Sequence, residues 1–253
     1  MLKNIFKEKI LNGESLIGIF ASLGSEIAAE VLGSSKIDYT LIDMEHAPND
    51  IRNTVNQMQA VKAAGGECLV RIPVLDPTYS KRLLDAGATT IMFPQINSVE
   101  DAKIAVSSVQ YPPKGIRGIA GATRANDFGR EKDYLNIADD IICVICQIES
   151  LSACENAKDI VQVEGVDILF IGPGDLSADM GLIQNRNAPE VKSKALEVLK
   201  IAKDFHKPCG IMVSSIKEAQ EMLELGFSVI AVNTDLVLLR NATDEISKIK
   251  NNI

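Results

Sequence analysis

The stretch ICVICQIESLSACENAKDIVQVEGVDILFIGPGD, residues 142–175, carries the architecture in miniature. Two short runs inside it, ICVICQIE (142–149) and VDILFIGP (166–173), are almost wholly apolar and rich in β-branched side chains. Between them, SLSACENAKDIVQVEG spaces its apolar residues as a helix does and closes on Gly165, expected as a helix C-cap. A strand covered on both faces reads as a continuous apolar run, which is the habit of parallel sheets. The unit is strand, crossover helix, parallel strand.

The same alternation recurs along the chain. The other runs are LIGIFASL (16–23), DYTLIDME (38–45), CLVRIP (68–73), TTIMFPQ (89–95), PCGIMVS (208–214) and FSVIAVNTD (227–235). Helical stretches separate them, with Asn49 or Asp50 as a cap for one, Ser98 with Glu100 and Asp101 in the first turn of another, and Gly65, Gly87 and Gly226 as terminators. Eight strands alternating with eight helices specify an α/β fold, the (β/α)8 TIM barrel, as a single domain over 1–253. No glycine-rich nucleotide fingerprint follows any run, which weakens the case for an open dinucleotide-binding sheet. One connection is irregular: YPPKGIRGIAGATRANDFGREKDYL (111–135) is long and rich in Gly, Pro and Arg, suited to subunit contacts or to covering a site.

Composition narrows the partners. With 46% hydrophobic and 24% charged residues, the chain has the material for a large core. A net charge of −8 argues against a nucleic-acid surface, which needs clustered Lys and Arg. The opening MLKNIFKEKILNG lacks the apolar core of a secretion signal, and no run approaches the roughly 18 apolar residues of a membrane span. A cytoplasmic protein with no membrane partner is expected. Cys143 and Cys146 form a C-x-x-C within a strand, where residues three apart face opposite ways, so buried structural thiols are expected there.

In this fold the C-terminal ends of the strands build the active site. That places Asp43, Glu45 and His46 after the second run, Arg71 at the end of the third, Gln147 and Glu149 at the end of the fifth, and Gly172, Pro173, Gly174 and Asp175 after the sixth. Gln147 and Glu149 share one strand face, here the barrel interior. Glu149 and Asp175 come from neighbouring strands, and two carboxylates with open positions suit a hard cation such as Mg2+ or Mn2+. Salt-bridging or helix capping would account for the same pair without a metal. His46 is a general acid or base by type, and Arg71 a fork for an oxyanion, unless a barrel carboxylate claims it. His206, just before the seventh run, sits on the stability face. No run ends in the lysine that Schiff-base aldolases need, and Lys207 precedes its strand.

The motifs LIDMEHAPND (41–50), KRLLDAGATTIMFPQ (81–95), YPPKGIRG (111–118), QIES (147–150) and VEGVDILFIGPGDLSADMG (163–181), in this order, resemble the HpcH/HpaI aldolase family. Those are class II, metal-dependent pyruvate aldolases related to the 4-hydroxy-2-oxoheptanedioate, 2-keto-3-deoxy-glucarate and 2-keto-3-deoxy-L-rhamnonate aldolases, built on a phosphoenolpyruvate/pyruvate-type barrel. The resemblance runs from GIFASLGSEIAAEVL (18–32) to the last helix. It implies a reversible cleavage of a 4-hydroxy-2-oxo acid to pyruvate and an aldehyde. Glu149 and Asp175 would be metal ligands for Mg2+ or Mn2+, with Co2+ a further candidate. His46, beside Asp43, would be the acid/base and Arg71 the enolate binder; Gln147 and Gly172–Gly174 would line the 2-oxo acid. Asp85 would reach the histidine of a neighbouring subunit, and the assembly would be a homo-hexamer that exchanges the last helix, 236–251. Met44, Phe20 and the GATRANDFG stretch depart from the family pattern and bear on the aldehyde half of the pocket. A related barrel lyase, decarboxylating oxaloacetate or cleaving a citrate or malyl thioester, and a non-catalytic homologue are the alternatives.

Overall fold

The computed structural model describes residues 3–249. Eight parallel strands close into a barrel in chain order: β1 (Leu16–Ala21), β2 (Tyr39–Asp43), β3 (Cys68–Arg71), β4 (Thr90–Phe93), β5 (Cys143–Ile148), β6 (Ile168–Ile171), β7 (Cys209–Val213) and β8 (Val229–Thr234), with β8 paired back to β1. The strands are the expected runs trimmed at one or both ends. More helices surround them than the eight expected: α1 (Ile5–Leu11), α2 (Glu26–Gly33), α3 (Ile51–Ala63), α4 (Pro77–Asp85), α5 (Val99–Val109), α6 (Tyr134–Ile141), α7 (Leu151–Ile160), α8 (Pro173–Asp179), α9 (Pro189–Asp204), α10 (Ile216–Leu225) and α11 (Asp235–Ser247).

Strand parity sorts the core into two layers. Leu16, Phe20, Leu41, Leu69, Met92, Cys143, Ile145, Ile168, Phe170, Val229 and Ala231 fill the barrel interior. Their neighbours, such as Ile42, Val70, Val144, Leu169 and Ile211, point outward to the helices. Cys143 lies in the inner layer and Cys146 in the outer one, so the C-x-x-C holds two separate buried thiols. Three inner rows turn polar at their upper ends: Leu41 gives way to Asp43, Leu69 to Arg71, and Ile145 to Gln147. The apolar lower rows close the barrel, and the upper rows supply chemistry.

The lower end is plugged by α1. Phe6 and Ile10 join the inner core, with Phe6 edge-on to Tyr39 at 5.4 Å between ring centroids. Asn4 caps this helix, its side chain accepting from the backbone N–H of Lys7. Asp50, not Asn49, caps α3, and Ser98 forms a capping box with Asp101 on α5. Gly226 caps α10 with left-handed φ of 99°. Gly165 corrects an expectation: α7 ends at Ile160, and Gly165 instead turns the chain into β6.

The 111–135 connection holds a 3-10 segment (Arg124–Gly129) and packs at the lower end, not over the upper one. Its anchor is Arg117, whose side chain is fully buried, paired with Asp85 at 2.9 Å and stacked on Tyr111 at 4.5 Å. At the other extreme, α11 buries only Asp235, leaving Leu236, Leu238, Leu239 and Ile246 exposed. Residues 250 and 251 of the expected last helix lie outside the described residues. Among the described residues, no helix is long and apolar enough to cross a membrane.

Candidate active site

The upper mouth of the barrel gathers most of the expected residues. Asp43 and Arg71 are register partners on β2 and β3, so their inward side chains meet directly. Asp43 Oδ1 and Oδ2 accept from Arg71 Nε and Nη2, each at 2.8 Å, a two-pronged pairing that fixes the guanidinium plane. Asp43 is therefore placed to position Arg71. Arg71 lies over the Phe20 ring at 4.8 Å, and Phe20 is buried inside the barrel beneath it. Burial works against the arginine's charge, but the Asp43 bonds and the charges of Asp43, Glu45 and Glu149 outweigh it and hold its pKa above the usual value.

Gln147 and Glu149 share the inner face of β5 and its end, as their spacing requires. Glu149 Oε1 accepts from the Gln95 backbone N–H at 2.7 Å, and Oε2 accepts from the Gln147 amide. Burial pushes the Glu149 carboxyl up to about 7; the Gln95 N–H pulls the other way, and the charges of Glu45 and Asp175 add to the rise. Gly172 caps the start of α8, and a Cβ there would overlap the Glu149 carboxylate, so the glycine gives this acid its room. Pro173 opens α8, Gly174 follows, and Asp175 sits in its first turn, 54% exposed at the rim. His46 lies past β2 with Nε2 at 4.0 Å from Asp175 Oδ2 and 3.8 Å from Glu45 Oε2.

Glu45 is the site residue to which sequence reasoning gave no role. Its side chain is 8% exposed, with Oε2 at 3.0 Å from Arg71 Nη1. Burial raises its pKa to about 7; Arg71 opposes that, while Asp43 and Asp175 reinforce it. The i, i+2 spacing from Asp43 was the signal: inward parity continues one step beyond the strand.

Asp85 is the expected residue that the mouth does not receive. It ends α4, and a helix that follows β3 runs back down the barrel, so Asp85 stands at the lower end on Arg117. His46 of the same chain stands at the other end. Lys207 and His206 also lie low; Lys207 Nζ donates to the Val166 carbonyl.

The donor set fits a divalent cation. Asp43, Glu45, Glu149 and Asp175 face one guanidinium and one imidazole, leaving an excess of negative charge in a half-buried cup. Burial dominates at Glu149, whose nearest guanidinium, Arg71, is ion-paired to Asp43 and Glu45 instead. Among the described residues no three or more His, Cys, Asp or Glu side chains come together as a ready-made metal cage.

Comparison with known proteins gives the family and the fold. A family model described as HpcH/HpaI aldolase/citrate lyase matches residues 16–242. A 5-keto-4-deoxy-D-glucarate aldolase from Enterobacter sp. (strain 638) is 39% identical over 96% of this chain and 95% of its own length. A 4-hydroxy-2-oxo-heptane-1,7-dioate aldolase from Escherichia coli is 38% identical over 97% of this chain and 94% of its own. The crystal structure of an HpcH/HpaI aldolase/citrate lyase family protein from Burkholderia cenocepacia J2315 superposes with a TM-score of 0.94 at 38% identity, covering 98% of this chain and 100% of that one.

Proposed function

The chain belongs to the HpcH/HpaI aldolase/citrate lyase family, and from that premise we propose that it is a divalent-metal-dependent pyruvate aldolase, cleaving a 4-hydroxy-2-oxo acid reversibly to pyruvate and an aldehyde. The observation that carries this reading is the Asp43–Arg71 fork facing Gln147 and the buried Glu149 across one mouth. Glu149 and Asp175 would hold the ion, Mg2+ or Mn2+ by ligand type, with Co2+ a further candidate. When bound, the ion supplies positive charge that orients the 2-oxo acid and stabilises its enolate. Arg71, kept rigid by Asp43, supplies preorganised donors for the same oxyanion. Gln147 and the Gly172–Gly174 turn line the acid's other side. His46, facing the rim, takes the 4-hydroxyl proton as the C3–C4 bond breaks and returns it in condensation.

The rest of the biology follows the same reading. The chain works as one barrel unit in the cytoplasm, on a small 2-oxo acid, with neither nucleic acid nor membrane as partner. It assembles as a homo-oligomer, a hexamer by family habit. The uncovered leucines of α11 support exchange of that helix between subunits. The placement of Asp85 at the opposite end of its own barrel supports its serving His46 of a neighbouring copy. The test is Glu149→Ala assayed against a panel of 4-hydroxy-2-oxo acids and oxaloacetate with Mg2+, Mn2+ or Co2+. Metal binding, pyruvate release and pyruvate enolisation should fall together, activity by about a thousandfold or more. Full activity in that variant rejects the assignment, and turnover confined to oxaloacetate points to a decarboxylase.

A further inference from the structure

Arg71 offers donors in three directions, and the protein already meets each of them. Nε and Nη2 are taken by Asp43. Nη1 faces Gln147 Oε1 at a long 3.4 Å and Glu45 Oε2 at 3.0 Å. The two carboxylates hold the arginine differently. Asp43 sits on a strand in register with Arg71 and makes two aligned hydrogen bonds. Glu45 lies past the strand end, on a side chain with three rotatable bonds. Its Oε2 is buried without a single aligned hydrogen bond, so it touches Nη1 by charge alone. A buried carboxylate oxygen left unbonded is costly, and that cost is recovered if it turns out to water. An incoming oxyanion that aligns with Nη1 gains the charge-assisted bond that Glu45 lacks.

We propose that Glu45 is an internal stand-in for the substrate: its carboxylate fills the seat before Arg71 Nη1 that the 2-oxo acid's oxyanion takes over, so displacing Glu45 is part of binding and helps select which anions enter. This rests on the reading of Arg71 as the oxyanion donor. The groups facing Glu45 fit a displaceable ligand. Arg71 attracts it, while Asp43 on β2 and Asp175 on α8 repel it, and the His46 imidazole stands with Nε2 at 3.8 Å. Asp43, by contrast, has no route out, because its departure would break both prongs of the fork.

The test is calorimetric titration of the Mg2+-loaded protein with pyruvate, in the parent, Glu45→Gln, Glu45→Asp and Arg71→Ala. Glu45→Gln keeps the shape and removes the competing charge, so its Kd for pyruvate should fall by about tenfold. KM should fall with it and kcat should not rise, since the gain is in ground-state binding. Glu45→Asp withdraws the carboxylate by one methylene and should tighten binding by a smaller factor, which decides the matter if the glutamine variant does not fold. A side chain that merely supports the fold would weaken binding when changed, so the sign of the effect is diagnostic. Unchanged or weaker pyruvate binding in both Glu45 variants, with binding lost in Arg71→Ala, overturns the proposal and leaves the Arg71 reading intact. Pyruvate binding that survives Arg71→Ala overturns both.

Discussion

The floor and the mouth of this barrel are built from the same kinds of residue to opposite ends. At the floor, Asn4 spends its whole amide: Nδ2 donates to the Thr89 and Ile141 carbonyls and to Thr90 Oγ1, while Oδ1 caps α1. Lys7 Nζ donates to the Ile142 carbonyl, and Asp38 accepts from both Lys9 and the Ile17 backbone N–H. At the mouth, Glu45 Oε2 has no aligned hydrogen bond, and burial lifts both Glu45 and Glu149 to about 7. Asn4, Lys7 and Asp38 are satisfied and stabilise, while Glu45 Oε2 stands open where a ligand can complete it; Tyr39 Oη and Arg117 Nε and Nη1, buried at the lower end without a partner, are the floor's exceptions.

The largest test of that contrast is Glu149→Gln. Activity should drop by about a thousandfold, measured as kcat/KM, because the cation loses a ligand. Stability should move the other way in metal-free protein. The folded Glu149 carboxyl titrates near 7 against an ordinary 4.5, so the folded state holds its proton longer than the unfolded one. Stability therefore falls as pH rises through that window, by on the order of 3 kcal/mol. Denaturant melts from pH 4.5 to 8 should show this decline, and Glu149→Gln should flatten it. A variant less stable than its parent at pH 8 would place Glu149 with the floor residues. Adding Mg2+ should raise the parent's melting temperature at pH 8 and leave the variant nearly unmoved.

Arg117→Ala should cost about 3–4 kcal/mol. It removes a fully buried side chain from between two tyrosines and strands Asp85. Urea denaturation would read it. A loss below about 1 kcal/mol would mean that the aromatic stacking and ion pair contribute little. Asn4→Ala should cost about 2 kcal/mol, since it deletes a helix cap and orphans Thr90 Oγ1, while kcat/KM stays within about twofold.

The fold was legible because covered parallel strands announce themselves as apolar runs, and ICVICQIE and VDILFIGP needed only trimming at their ends. The mouth was legible for Arg71, Gln147 and Glu149, since strand parity and the rule about strand ends place them together. Glu45 was placed at the mouth but given no role, because it lies past the strand, where parity is not guaranteed. The inner helix α1 escaped for another reason: a seven-residue helix has almost no periodicity to detect, and its one signal was Asn4 as a cap. Arg117 looked like one more loop arginine. Its burial depends on Tyr111 and Tyr134 closing over it from either end of the connection, a relation between segments that local spacing does not contain. The extra helix α8 follows from a proline and a glycine cap that read equally well as a turn.

The smallest effect sharpens the contrast most, because it comes from a residue at the mouth that behaves like one at the floor. Asp50 stands at the upper end, four residues from His46, yet its Oδ1 caps α3 by accepting from the Asn53 backbone N–H at 2.7 Å. Its carboxylate is committed to a helix terminus, where the dipole favours negative charge, and not to the cup. Asp50→Ala should therefore cost about 1 kcal/mol, a fall in melting temperature of about 2–4 °C for a chain of this length. Asp50→Ser should recover most of it, since serine caps nearly as well. If kcat/KM stays within about twofold in both variants, what separates the two ends is whether a polar group is satisfied, not its height along the barrel. If activity drops tenfold in Asp50→Ala and Asp50→Ser restores stability but not turnover, the charge of Asp50 is felt at His46, and the cup extends along β2's exit as far as Asp50.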